Sequence, residues 1–223
     1  MLRLAAERGP SARLVTHSAA WRKNWLMGGR RVVLRLRFKL VTDDVREHYV
    51  ALWGEPSRTA SYELLGHAID VYKWDAVRSP EQVNLYATLG AALYSWPGHA
   101  LTHRVEFFVG LEPAQDEVAR ALAMAALDPV INGTTLDHGH SITFAEPLWP
   151  GTAMHSMLVL RPVLEVVPVL VTKDRVHVGF MQMIPVYPAE VRFKEERQVD
   201  TLLQHWRSTN VAFWNPNRQP QSA

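Results

Sequence analysis

Between Gly133 and Glu190, turn-forming residues interrupt short strand-like runs, and that spacing constrains the fold more than any other feature of the chain. The stretch opens with Gly-Thr-Thr-Leu-Asp-His-Gly-His-Ser-Ile-Thr-Phe, passes through Glu-Pro-Leu-Trp-Pro-Gly and closes with Ile-Pro-Val-Tyr-Pro-Ala-Glu. Short strands are predicted at Ser141–Phe144, Met157–Leu160, Glu165–Thr172 and Arg175–Ile184. Lys173-Asp174 reads as the tight turn of a hairpin joining the last two. The stretch contains no nucleophile elbow, phosphate loop or metal-ligand spacing that would name a reaction.

Upstream, the hydrophobic period changes twice. Residues 31–40 alternate, with Leu34, Leu36, Phe38 and Leu40 against Arg35, Arg37 and Lys39, which predicts a strand. A helix is expected after Thr42 as N-cap, with Asp43 and Asp44 in its first turn and Val45, Tyr49, Leu52 and Trp53 on its apolar face. Gly54 and Pro56 stop it. Three strands are predicted next, at His67–Trp74, Asn84–Leu93 and Thr102–Leu111, with Trp96-Pro97-Gly98 turning between the last two. From Pro113 to about Val130 the pattern is helical, with Val118, Leu122 and Ala125-Ala126 as its stripe, Asp116 and Glu117 in its first turn and Asp128-Pro129 ending it. Pro188 opens a final helix with Val191, Val199, Leu202, Leu203 and Trp206 inward. The tail after Asn215 is expected to fray.

Strands that come in blocks between helices, rather than alternating strictly with them, give the fold class: α+β, a mixed, largely antiparallel sheet with helices packed against it. At 223 residues and 48% hydrophobic, the chain suits one domain with a substantial core. The expected division is a basic arm over 1–40, a domain over 41–217 and a tail over 218–223. Absence of cysteine excludes a disulfide scaffold and thiolate chemistry. It also fits a reducing, cytoplasmic setting.

The net charge of +2 conceals an asymmetry. Residues 1–40 carry ten Lys or Arg and one acid, Glu7, whereas the remainder carries fourteen basic and twenty-one acidic residues. Such an arm suits nucleic acid or an anionic membrane surface. It also suits a transit-like leader, or translation from upstream of Met27, which is the preferred reading. Nucleic-acid binding is therefore disfavoured, and no apolar run is long enough to span a membrane.

Several segments together resemble the suppressor-of-fused family. They are Ile69-Asp70-Val71-Tyr72, His103 through Leu111, Asp137-His138-Gly139-His140-Ser141-Ile142, Glu146-Pro147-Leu148-Trp149, and the close from Phe180 to Glu190. No piece suffices alone; their order makes the resemblance specific, and it covers about residues 44–217 in a form similar to the short bacterial members. The resemblance implies an α+β domain that binds another protein. In the animal regulator, two such domains clamp a peptide that adds a strand to their sheet edges. This chain is similar to the first domain only. Bacterial members are often proposed to be immunity proteins that neutralise polymorphic toxins, and an acidic body would suit a basic toxin domain as partner. Oligomeric state is left open.

The residues that invite chemistry are His103, Glu106, Asp137, His138, His140, Glu146, Trp149, Tyr187 and Glu190. Asp137, His138 and His140, joined by His103, Glu106 or His155, would offer metal ligands or an enzyme's acid–base pair. Gly139 reads as a turn position, however, so the histidines are expected to bond loop backbone and fix the start of the Ser141 strand. Nothing in sequence brings Glu106, Glu146 and Glu190 together, and Glu190 is expected to stabilise a helix N-terminus. No cofactor, metal or catalytic residue is expected. The candidate contact surfaces are an exposed sheet edge and the loops at Asp137–His140 and Trp149–Gly151, with Trp149 itself expected to pack as a lid over the core.

Overall fold

A computed structural model describes residues 5–6, 28–95, 100, 102–162 and 166–220, with the backbone path alone for 5–6 and 28–39. The turn expected at Trp96-Pro97-Gly98, most of the basic arm and the start of the strand expected from Glu165 lie outside these residues.

The elements in chain order are β1 (Ala5–Ala6), α1 (Gly28–Trp53), β2 (Arg58–Leu64), β3 (His67–Trp74), β4 (Asn84–Leu89), β5 (His103–Leu111), α2 (Val118–Asn132), β6 (Ser141–Thr143), β7 (Ser156–Leu160), β8 (Leu170–Val171), β9 (His177–Val186), α3 (Pro188–Arg197) and α4 (Val199–Ser208). The strands form one sheet in the order β1-β6-β7-β9-β5-β4-β3-β2, with β8 also pairing β9. Among the described residues only β5 and β9 run parallel, His103 opposite His177 through Phe108 opposite Gln182. The sheet is thus mixed and largely antiparallel, as the blocks of strands predict. The β8–β9 hairpin closes where expected, the Arg175 amide donating to the Thr172 carbonyl at 2.9 Å across Lys173-Asp174.

Alternation along the strands gives the sheet two buried faces. Phe107, Val109, Met181, Met183, Met157 and Val159 point to one face, where α2 covers them with Val118, Leu122, Ala125 and Ala126. The other face is divided. Toward β3 and β4, α1 lays Val41, Val45, Tyr49 and Trp53 over Tyr72, Trp74, Phe108 and Phe180. The four α1 residues recur every fourth position, a single stripe down one side of the helix. Toward β7, α4 lays Leu202 and Trp206 over Leu158, Leu160, Ile184 and Val186.

Several expectations are corrected. Residues 31–40 are helical, not a strand, so α1 begins at Gly28 and Thr42 is interior. Once Val41–Trp53 are docked, the helix propagates backward through Leu, Arg and Lys without meeting Gly or Pro until Gly29, and each added residue gains a hydrogen bond without a new nucleation cost. The helix expected from Pro113 starts at Val118, with Glu117 as its N-cap. Pro129 lies inside α2, which ends at Gly133 in a left-handed conformation. In the last turn proline forfeits only one backbone bond. The buried Asp128 side chain ties that turn down, accepting from Asn132 at 2.6 Å and from Thr134. The strand expected over 165–172 shrinks to β8. The single final helix is two, broken at Gln198, whose φ is 71°. β2 has no counterpart among the predicted strands.

Candidate binding groove and the residues that frame it

Between the covers supplied by α1 and α4, part of the sheet face is left open as a groove with a volume of about 640 Å³. Its floor comes from Leu85 of β4, Phe108 and Gly110 of β5, Ile184 of β9 and Leu160 of β7. Gly110 allows the floor to lie this low: a Cβ there would come within 2.7 Å of a Val83 methyl carbon. Leu203 and Trp206 of α4, followed by Val211, Phe213 and Trp214, form one long wall. Val166 stands opposite, and Gln182 and Asn210 bring the neutral polar groups.

The closing motif of the sequence builds that wall. Glu190 sits at the start of α3, where its carboxylate accepts the Tyr187 amide at 2.8 Å. It also receives both Nη atoms of Arg218, at 2.6 and 2.7 Å. Both partners are buried, at 2% and 7% exposure. Arg218 donates further to the Pro185 carbonyl at 3.0 Å, and the Tyr187 hydroxyl donates to the Arg218 carbonyl. The guanidinium lies over the Tyr187 and Trp206 rings. The tail is therefore clasped rather than frayed, because a buried carboxylate needs a buried cation. The clasp holds residues 210–214 against the sheet, where the Glu112 amide donates to the Trp214 carbonyl at 2.9 Å.

The histidine loop builds one end. Asp137 accepts from Arg161 at 2.8 and 3.0 Å and from the His138 amide at 2.7 Å. Burial pushes the Asp137 carboxyl up, but the His138 amide and Arg161 outweigh it and hold it below its usual value. The Arg161 amide donates to His138 Nδ1 at 3.2 Å. His140 Nδ1 lies 2.8 Å from the Thr135 carbonyl and 3.1 Å from the Asp137 amide. Gly139 turns with φ of 84° and donates to the Val159 carbonyl at 2.8 Å, while Lys194 donates to the Gly139 carbonyl at 3.1 Å and to the Ser141 hydroxyl at 3.0 Å. The histidines do bond loop backbone and fix the start of β6. The loop's further product, unforeseen from sequence, is an Arg161 held at the groove.

Glu106 lies elsewhere, beneath the turn that follows β4. It is 1% exposed and accepts from the Thr88 hydroxyl at 2.5 Å and from the amides of Gly90, Ala92 and Ala91 at 2.9, 3.0 and 3.3 Å. Burial pushes its carboxyl up to about 7 against the opposing pull of these donors. His103 is exposed and stacks on His177 across the parallel pair, ring centres 5.5 Å apart. Glu146 is exposed and, with the buried Trp149, lines a smaller hollow beside α2. Trp149 belongs to the core on the α2 side. The structure thus brings Asp137, His138 and His140 together, joins Tyr187 to Glu190, and leaves His103, Glu106 and Glu146 apart. Among the described residues, no three His, Asp or Glu side chains are placed to hold a metal ion. Of the groove residues, Leu203 and Trp206 are legible in the sequence as an apolar helix face and Val211 and Phe213 are not, because sheet order decides what faces them.

Comparison with known proteins agrees with this architecture. The fold is similar to the Sufu-Fu complex crystal structure, with a TM-score of 0.59 and 17% identity over 82% of this chain and 90% of that one. It is similar to a suppressor of fused homologue from Neisseria gonorrhoeae FA 1090, with a TM-score of 0.62 and 17% identity over 82% and 98%. Drosophila Suppressor of Fused gives a TM-score of 0.58 and 17% identity over 81% of this chain and 50% of that one. No curated protein sequence matches the chain. The sequence profile described as suppressor of fused protein (SUFU) matches residues 66–219, more than half of the chain, and the chain belongs to that family.

Proposed function

We propose that this chain is a non-enzymatic protein-binding domain that presents a preformed face to another macromolecule. One observation carries the reading: the side chains that could do chemistry are spent on holding the fold, in separate places. Glu106 holds a turn, Glu190 holds Arg218, Asp137 holds Arg161, and His138 and His140 bond the backbone of their own loop and its neighbour. An acid–base pair of carboxylates needs both groups within reach of one bound substrate, and none of these carboxylates shares a site with another. The Sufu-Fu complex among the similar structures supports a protein as the partner class.

Two surfaces suit a partner. One is the groove; the other is the outer edge of β2, which among the described residues pairs only with β3 and leaves a row of backbone groups open. The finer proposal is an immunity protein in the cytoplasm that neutralises a basic toxin domain. The acidic excess of residues 41–223 supports it, since complementary charge speeds encounter. The test is co-expression with the product of a neighbouring toxin-like gene, followed by calorimetry of the purified pair. A saturable complex that protects cells is the expected result. Turnover of a small compound by the chain, abolished in His138→Ala or His140→Ala, would sink the reading.

A further inference from the structure

The groove carries charge of opposite sign at its two ends. Glu81 lies just before β4, and Arg161 directly follows β7. In the sheet those strands are separated by β5 and β9, and the registers set Leu160 level with Ala87, so the start of β4 and the end of β7 lie three strand spacings apart across the sheet, roughly 14 Å, and three residues apart along it, roughly 10 Å. Arg207, on α4 over the β7 side, joins Arg161, is exposed and has no carboxylate partner among the described residues. Arg161 is held in place by Asp137, while among the described residues Glu81 accepts only the Ser79 hydroxyl, at 2.8 Å. Between the ends the floor is apolar, with Gln182 half-buried at its centre and without a hydrogen-bond partner among the described residues.

We propose that this groove takes an extended segment of a partner protein, at least about five residues long at roughly 3.3 Å each and laid diagonally across the strands, with a bulky apolar side chain at its centre, a carboxylate at the β7 end and a cation at the β4 end. The inference rests on the partner-binding reading and adds the site and the chemistry of what fills it. The length follows from the diagonal between the start of β4 and the end of β7, the apolar centre from Leu85, Phe108, Ile184 and Trp206, and the charge order from the strand order. A dipolar segment also accounts for how an acidic body can offer cations at one docking end without favouring acidic partners as a whole.

The probes are blocked pentapeptides titrated into the isotopically labelled full chain and followed by NMR. Glu-Leu-Trp-Leu-Lys and Lys-Leu-Trp-Leu-Glu present the two possible chain directions; Glu-Leu-Trp-Leu-Glu and Lys-Leu-Trp-Leu-Lys are the like-charged comparisons. Saturable shifts at Gln182, Leu203 and Asn210 are expected with one dipolar peptide, binding about tenfold tighter than either like-charged one. Arg207→Glu, an exposed change that leaves the core intact, is expected to weaken the dipolar peptide about fivefold and to favour the doubly cationic one. Gln182→Trp, which fills the floor, is expected to abolish the shifts. Absence of saturable groove shifts, equal binding of all four peptides, or indifference to both substitutions overturns the proposal. If a native partner binds the Gln182→Trp chain as tightly as the unaltered chain, the groove fails while the partner-binding reading survives. If no partner binds the unaltered chain, that broader reading fails instead, whatever the peptides do.

Discussion

Two buried carboxylates show how one residue type is put to opposite uses. Glu190 meets a cation in a dry place; Glu106 meets only neutral donors, and burial raises its carboxyl from 4.5 to about 7. The folded state therefore binds the Glu106 proton more tightly than the unfolded state. Its contribution is fully present below about pH 4.5 and declines as pH rises through 7, by up to about 3 kcal/mol. Urea denaturation between pH 4.5 and 8.5 is expected to show this decline, and Glu106→Gln to flatten it while costing about 1–3 kcal/mol at the acid end, because its amide group would face backbone N–H donors. At the clasp, Arg218→Met strands the Glu190 carboxylate and is expected to cost about 3–5 kcal/mol, with most of it recovered in the double change with Glu190→Gln. Neither role can be read from sequence: Arg218 looks like one polar residue in a proline-containing tail, and Glu190 like an ordinary first-turn acid.

At the scale of elements, the corrections share a cause. The alternation of residues 31–40 is a true period of two, but local period does not decide a segment that continues a docked helix. β2 escapes prediction because it is an edge strand: Arg58, Thr59, Ser61 and Glu63 are exposed, and only Ala60, Tyr62 and Leu64 mark its half-buried side. Its hairpin turn, Leu65-Gly66, has positive φ at both residues, 52° and 79°, without the asparagine that would advertise it. Leu65 is 77% exposed there. Leu65→Asn is expected to stabilise the protein by about 0.5–1 kcal/mol in thermal or chemical denaturation, since asparagine tolerates that conformation and removes an exposed apolar side chain. Gln198, at φ 71° and ψ 157°, breaks α3 from α4 in a region normally left to glycine. Gln198→Gly is expected to raise stability by about 1 kcal/mol, measured the same way, and a loss would show that the Gln198 side chain contributes more than its backbone strain costs.

Across the whole molecule, the clasp and the groove are one device. The Glu190–Arg218 pair lies on one side of Trp206, and the groove lies along the wall that Trp206 and residues 211–214 compose. Releasing the clasp should therefore loosen the wall before it unfolds the sheet. In Arg218→Met, hydrogen exchange is expected to rise at the amides of Val211, Phe213 and Asn215, while Phe107 and Met183 stay protected. Uniform loss of protection would instead make the clasp part of the global core.

What the sequence alone determined is whatever depends on neighbours in the chain. Period and turn chemistry located β3 to the residue, β5, β6 and β7 to within one residue, the hairpin at Lys173-Asp174, the buried stripe of α2 and the class of the fold. The ordered motifs also located the family, because each is a strand, turn or helix start whose residue pattern is set locally. Tertiary structure alone decided which strands became neighbours, and with that everything about the groove. Leu85, Phe108, Leu160 and Ile184 are scattered along the sequence and meet only because β4, β5, β9 and β7 lie side by side. Burial and charge pairing at a distance are properties of that adjacency, and no local period encodes them.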